Sequence, residues 1–340
     1  MSQPTAAGDG APARMRAVVV ARPGGLDALE IRDVPMPEPR PGWVRIKVKA
    51  FGVNESEVTT RKGGSDAQVT YPRVPGIEAV GVIDQADPDS GLRPGRQVAT
   101  MMGGMGRAFD GSYAQYVSVP AAQVIAFESV LPWEVLGALP EMFQTAYGSL
   151  STGLDLQAGQ TLLIRGGTSA VGLSAAAMAK DLGSVVVSTT RSPERAGELR
   201  AMGVDHPVVD DGAIAEKVRA LIPRGVDAAL ELVGCTVLPD TLACVRAHGT
   251  VCFTGALAGG WTIQDFTPFM IPNGVRLTSY AGEATDLPAA VFQRQLEAIA
   301  DGRLRVPVAK VYRGLDRVRD AQAGVESGTT PGKHVVLLDD

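Results

Sequence analysis

Two stretches of this sequence carry residue types at spacings suited to holding a phosphorylated ligand. In residues 161–172, TLLIRGGTSAVG, an apolar run long enough for one buried strand meets two glycines and then a stretch free of helix breakers. Gly166 and Gly167 permit a tight turn and let backbone approach a ligand, and Gly172 lets the next helix pack closely on the strand. Across that turn Gly166, Gly167, Thr168, Ser169, Ala170 and Val171 present unpaired N–H groups and the positive end of a helix, which stabilise a pyrophosphate. Such turns also end ordinary strands. At the first strand-to-helix junction of an alternating run, this one favours a dinucleotide.

The second stretch is residues 185–195, VVVSTTRSPER. Binders of NAD usually place Asp or Glu at the end of this strand, about 20 residues past the glycines, to hold the ribose 2′-OH. Here Thr190, Arg191 and Ser192 stand there instead, with Arg195 one helical turn on. A guanidinium fork and a hydroxyl match a 2′-phosphate in charge and geometry, so NADPH is the expected cofactor. The alternative reading is that Ser192-Pro193 only caps a helix and both arginines are solvated.

The elements that must position these residues follow from periodicity. Residues 43–50 alternate strictly, with Val44, Ile46, Val48 and Ala50 on one face and Arg45, Lys47 and Lys49 on the other, as in a half-buried strand. Further short strands are expected at 16–21, 28–34, 79–85, 97–101 and 112–119, separated by Pro/Gly clusters. The pattern changes near residue 131. A helix over 132–152, with Pro140 as a kink or boundary, precedes strands at 161–165, 184–189, 207–209, 227–233 and 250–253. Helices at 170–182, 193–202, 213–221 and 238–247 alternate with them, which describes a parallel sheet covered on both faces. Helices at 287–301 and 315–327 and a strand at 334–338 return to the first domain. The expected division is a tail at 1–14, a β domain from 15–130 and 275–340, and a nucleotide domain from 131–274.

Bulk properties exclude several classes. The chain has 340 residues, 45% hydrophobic and 20% charged, with 40 glycines, a folded two-domain profile. A net charge of -5 with no basic run argues against nucleic acid. No apolar span approaches the roughly 18 residues that cross a bilayer. Residues 1–14 lack the apolar core of a secretory signal, so a cytoplasmic location is expected. The three cysteines, Cys235, Cys244 and Cys252, fit a reduced compartment. They all lie beyond Glu231, and His206, His248 and His334 have no ligand spacing, so no metal site assembles.

Taken in order, further motifs resemble the medium-chain dehydrogenase/reductase superfamily, specifically its zinc-free, quinone oxidoreductase-like branch. They are AFGVN at 50–54 followed by RKG at 61–63, PRVPGIEAVG at 72–81, GSYAQY at 111–116, TAY at 145–147, the Gly-rich turn, ESG at 326–328 and GKHVVL at 332–337. The resemblance spans nearly the whole chain from Met15. It implies an α/β protein with a GroES-like β-barrel catalytic domain built from both chain ends and a Rossmann doubly wound parallel-sheet domain. It also implies an active-site cleft between the two, and a homodimer. Zinc-dependent relatives place Cys where this chain has Asn54, His where it has Ile77, and four cysteines in the region of residues 87–105, which here has none.

By resemblance Asn54 lies beside the nicotinamide ribose and Thr145 near the nicotinamide. Residues 232–234, with Val233, and 254–257, with Gly255 and Ala256, line the cofactor, and Lys333 is a contact near the active site. Read as residues alone, Asn54 also suits a turn, and Thr145 suits a helix hydroxyl bonded to its own backbone. The chain departs from the family pattern in three places. Gly64-Ser65 and a polar insert replace a Tyr, Val209-Asp210-Asp211 replaces another, and Ser169 stands at the third-Gly position. The proton donor stays open among Tyr71, Glu55 and bulk water. The loop MMGGMGR at 101–107 either covers a pocket or is a surface loop.

Without a metal to polarise a carbonyl, conjugated acceptors suffer least, because charge spreads into an enolate or a quinone ring. The expected function is an NADPH-dependent reductase of a quinone or enone. Alternatives are an enoyl reductase dedicated to one pathway and a non-catalytic NADPH-binding sensor or interaction protein.

Overall fold

The computed structural model describes residues 13–38, 40–65 and 69–339. Most of the expected tail, residues 1–12, and the polar insert at 66–68 lie outside the described residues.

The chain opens with antiparallel β1 (Arg14–Val20) and β2 (Leu29–Pro35). Strand β3 (Trp43–Val53) buries Val44, Ile46, Val48 and Ala50, the face its alternation marks. Helix α1 (Glu55–Lys62) follows, then β4 (Glu78–Ala86), β5 (Gln97–Met101), β6 (Tyr116–Pro120) and β7 (Val124–Phe127). The sequence reading assigned no element to the residues of helix α1. Its start carries Asn54 and, three residues on, Glu57, whose carboxylate accepts the Asn54 backbone N–H at 3.1 Å.

The helical stretch expected over 132–152, with a kink or boundary at Pro140, is divided into α2 (Trp133–Leu136), α3 (Leu139–Gly148) and a wider turn over Ser149–Gly153. Pro140 sits in the first turn of α3, where its missing N–H costs nothing.

The nucleotide domain alternates as its sequence does: β8 (Thr161–Arg165), α4 (Ala170–Asp181), β9 (Val185–Thr190), α5 (Ala196–Ala201), β10 (His206–Val209), α6 (Ala215–Leu221), β11 (Val226–Glu231), α7 (Leu238–Cys244), β12 (Val245–Phe253) and β13 (Arg276–Ser279). The six strands are parallel in the order β10-β9-β8-β11-β12-β13. The order reverses between β8 and β11, leaving a crevice at their carboxyl ends. Strand β13, in residues that the sequence reading assigned to the other domain, supplies the sixth strand, so this domain runs past residue 274. Helix α7 stops at Cys244, short of the expected 247, because Val245 already pairs with Val226 in the sheet.

The chain then adds α8 (Ala289–Ala300), β14 (Val308–Arg313), α9 (Val318–Ser327) and β15 (Lys333–Leu337). Strand β15 pairs antiparallel with β3, completing a seven-stranded sheet in the order β14-β15-β3-β4-β5-β7, with β6 also on β3. The first domain is therefore closed by the end of the chain, which places Lys333 against Asn54 and Glu78.

Candidate active site

The Gly-rich turn folds as a tight strand-to-helix turn. Gly166 has φ +90, and Gly167 donates to the Thr189 carbonyl at 3.1 Å. A Cβ on Gly167 would come within 1.9 Å of Ser188 Oγ, so only glycine fits against β9. A Cβ on Gly172 would meet the Gly166 carbonyl at 2.6 Å, which is the close helix–strand approach its position called for. Ser169 caps α4. Its Oγ accepts the Gly172 N–H at 3.0 Å and donates to the Gly166 carbonyl at 2.8 Å. Ala170 and Val171 thus open the helix with N–H groups that have no partner one turn back, beside half-buried Thr168. These residues fit a dinucleotide pyrophosphate.

Val233, Gly255 and Ala256 adjoin the same turn. Ala258 donates to the Val233 carbonyl at 2.9 Å and Gly255 to the Glu231 carbonyl at 3.3 Å. A Cβ on Gly166 would touch Leu232 and Val233 side chains at 3.0 and 3.4 Å. Three segments distant in sequence therefore converge at the carboxyl ends of β8, β11 and β12.

The corner after β9 is less uniform than expected. Arg191 is exposed, and among the described residues no hydrogen bond or ion pair engages it. Thr190 is spent on its own turn, exchanging bonds of 3.1 Å with Ser192 backbone, while the Ser192 hydroxyl is held by Glu194. Arg195 Nη2 donates to the Gly328 and Thr329 carbonyls at 3.1 and 2.7 Å, linking this corner to the turn between α9 and β15.

Asn54, Thr145 and Lys333 are brought into one buried network. The Lys333 ammonium, 1% exposed, lies 3.0 Å from Glu78 Oε1 and 2.7 Å from Glu141 Oε2, and it also donates to Asn54 Oδ1. With three N–H groups and three oxygen partners, Lys333 is enclosed rather than presented to a cofactor, which corrects its expected role as a direct contact. Asn54 Nδ2 donates to Glu78 Oε1 at 2.9 Å, and Glu57 Oε1 accepts the Ile77 N–H at 3.2 Å. Glu78 Oε2 accepts the Glu141 N–H at 2.9 Å, so a β-domain carboxylate sits at the N-terminus of α3. Thr145 Oγ1 donates to Glu141 Oε1 at 3.1 Å. A Cβ at Gly52 would strike Glu78 Oε1 at 2.2 Å, so that glycine makes room for the network.

Burial pushes the Glu57 carboxyl up to about 7, with the neighbouring Glu78 charge adding to it against bonds from Ile77 and Asn54. Burial also raises Glu78, which Lys333 partly offsets. Burial alone would lower Lys333, but Glu141 and Glu78 outweigh it and hold the ammonium above its usual range.

Comparison with known proteins agrees with this architecture. A family model of the alcohol dehydrogenase GroES-like domain matches residues 40–129, and one of zinc-binding dehydrogenases matches residues 170–295. Together they span well over half of the chain. Human quinone oxidoreductase is 27% identical over 333 residues, covering 95% of this chain and 98% of that protein. Bovine prostaglandin reductase-3 is 28% identical over 267 residues, 77% of this chain and 68% of that protein. A mycobacterial protein solved in complex with NADPH aligns with TM-score 0.83 at 27% identity, over 95% of this chain and 99% of that one. The chain belongs to the medium-chain dehydrogenase/reductase superfamily. Within it, the chain falls in the quinone oxidoreductase-like branch, among oxidoreductases that bind a nicotinamide cofactor.

In this dehydrogenase/reductase, Glu57, Glu78 and Glu141 belong to the Asn54–Lys333 network, and the sequence reading did not single them out. The Asn-x-x-Glu spacing of 54 and 57 was a legible helix-start signature. Glu78 and Glu141 had none, since only the fold makes them neighbours. Among the described residues no group of three or more His, Cys, Asp or Glu side chains is arranged to hold a metal ion.

Proposed function

We propose that the protein is an NADPH-dependent reductase that delivers hydride to a quinone or an α,β-unsaturated carbonyl compound without a metal. The observation that carries this reading is the pairing of the Gly167 turn with the exposed Arg191 guanidinium at the end of β9, where Thr190 and Arg191 stand in the positions that an acid takes in NAD binders. When bound, NADPH supplies hydride from C4 of its nicotinamide. The Gly166–Val171 turn holds the pyrophosphate, and Arg191, with Ser192 and Arg195, receives the 2′-phosphate. Asn54 and Thr145 border the nicotinamide end, with Val233, Gly255 and Ala256 lining the crevice. Metal-free chemistry is supported by the donor set. Asn54 and Ile77 are poor zinc ligands, and the nearby carboxylates already surround the Lys333 ammonium. The substrate class is supported by the two relatives named for quinone and prostaglandin reduction.

The same proposal takes the protein as a cytoplasmic homodimer. Trp261 and Phe269, 62% and 96% exposed, lie on the segment leading into the edge strand β13, an apolar rim and an unpaired strand edge suited to a second copy. All three cysteines are free, and no described helix is long and apolar enough to cross a membrane.

The test is incubation of purified, chelator-treated protein with NADPH and a panel of quinones, 2-alkenals and enones, following NADPH absorbance. Saturable loss with one class, unchanged by added zinc, is expected. Tight NADPH binding without turnover on any acceptor would instead favour a binding module.

A further inference from the structure

Hydride addition to a conjugated acceptor leaves an electron pair on its oxygen, and in a site without a metal a protein group must hold that charge. The proton donors suggested by the sequence are placed unfavourably: the Tyr71 hydroxyl is committed to the Thr60 carbonyl at 2.6 Å, and Glu55 is exposed on α1. The loop over 101–107, left open by the sequence between a pocket cover and a surface loop, supplies a cation instead. It is fastened inward. Met101 and Met105 are buried, Met102 donates to the Ile77 carbonyl at 2.7 Å, and a Cβ on Gly106, where φ is +73, would meet the Gly76 carbonyl at 2.7 Å. The Arg107 and Ala108 N–H groups then turn onto the Gly104 carbonyl at 3.1 and 2.8 Å, which sets Arg107 against α1. There Arg107 Nη2 donates to Ser56 Oγ, two residues past Asn54, and the next residue, Glu57, takes the Ile77 N–H at 3.2 Å.

Arg107 is half-buried, and its Nε is shut off from solvent with no hydrogen-bond partner. Among the described residues no carboxylate pairs with it. Arg61, Arg73 and Arg165, also withdrawn from solvent, each meet one, Glu326, Asp110 and Asp210, at 2.9 Å. A guanidinium drawn out of water without a counter-charge is costly in the resting protein, and the Ser56 bond uses only one of its five N–H groups. We propose that Arg107 is a catalytic residue whose guanidinium receives the acceptor oxygen and stabilises the negative charge that hydride addition places there. This rests on the reductase reading above, which puts Asn54, and with it the start of α1, at the nicotinamide end. As the nicotinamide C4–H bond breaks, the hydride's electron pair forms the C–H bond at the acceptor's β-carbon, and the displaced π pair moves onto the carbonyl oxygen. Arg107 keeps all its protons. Its N–H groups strengthen their bonds to that oxygen as charge builds, and water supplies the proton once the charge has formed. The unpaired cation is thus compensated in the transition state, when an anion first stands before it.

Two measurements test the assignment. With NADPH and a neutral 2-alkenal, Arg107→Met is expected to lower kcat by about a hundredfold, with the NADPH Kd from fluorescence unchanged and Arg107→Lys retaining more of the rate. With NADP bound and no acceptor, 4-nitrophenol followed by its phenolate absorbance is expected to ionise about one pH unit lower on the wild type than on Arg107→Met. An unchanged kcat, a loss tracking a weakened NADPH Kd, or equal 4-nitrophenol ionisation on the two proteins overturns the assignment while leaving the reductase reading intact. A loss confined to KM, and to acceptors that carry a carboxylate, overturns it in favour of a ground-state anion site. A wild type inactive on every acceptor removes both.

Discussion

Arg165 grips Asp210 through two bonds of 2.9 Å, Nε to Oδ2 and Nη2 to Oδ1, with its side chain wholly shut off from solvent. The pair ties the end of β8 to the end of β10, and the remaining nitrogen reaches Asp240 Oδ2 at 2.8 Å and Thr241 Oγ1 at 3.0 Å. It lies beneath the crevice where the cofactor is expected. Asp210, which stands in the segment where the family pattern has a Tyr, is thereby neutralised from within.

Removing that guanidinium leaves Asp210 and Asp240 without their buried partner. Arg165→Ala is expected to lower unfolding free energy by about 3–5 kcal/mol, measured by urea denaturation. Arg165→Lys should recover only part, because an ammonium cannot reproduce the two-pronged bond. A Lys variant as stable as wild type would refute the geometric argument.

Gly167 presses on Ser188, a buried residue whose hydroxyl makes no hydrogen bond. Gly167→Ala should destabilise by about 1–3 kcal/mol through overpacking and weaken NADPH binding. Ser188→Ala in the same protein should restore part of the loss. Strict additivity of the two changes in a double-mutant cycle would show that the contact is not the cause.

Arg191→Ala is expected to raise the NADPH dissociation constant by about tenfold or more, on the scale of a lost charge-assisted pair, with NADH binding little changed. Calorimetry with both dinucleotides decides it, since equal losses would take Arg191 away from the 2′-phosphate. Arg195→Ala should have a smaller effect, as that side chain already serves Gly328 and Thr329.

Glu57 supplies a pH dependence with a definite sign. Its folded carboxyl is raised from 4.5 to about 7, so the folded state binds more protons than the unfolded chain between those values. Stability is therefore greatest below the lower value and falls as pH rises through this window, by about 3 kcal/mol in all. Glu57→Gln should flatten the decline in chemical denaturation across that range. A variant with the wild-type slope would place the titration elsewhere.

How much could be read in advance depended on whether a property is local. The alternation of Val44, Ile46, Val48 and Ala50 marked a buried strand face, and the spacing of Gly166, Gly167 and Gly172 marked a strand, turn and helix. Periodicity and backbone permissiveness are set by neighbours along the chain. Elements with weak patterning escaped: β14 is short and partly exposed, and α1 is polar.

The sequence by itself determined the alternating nucleotide domain and the glycine turn that joins its first strand to its first helix. Only the tertiary structure decided that Lys333 is enclosed and joined to Asn54, Glu78 and Glu141, and that Arg195 reaches across to the turn before β15. Those pairings bring together residues separated by up to 279 positions. Electrostatic partners are chosen by distance in space and by exclusion of water, and neither quantity exists until the last strand closes against the third.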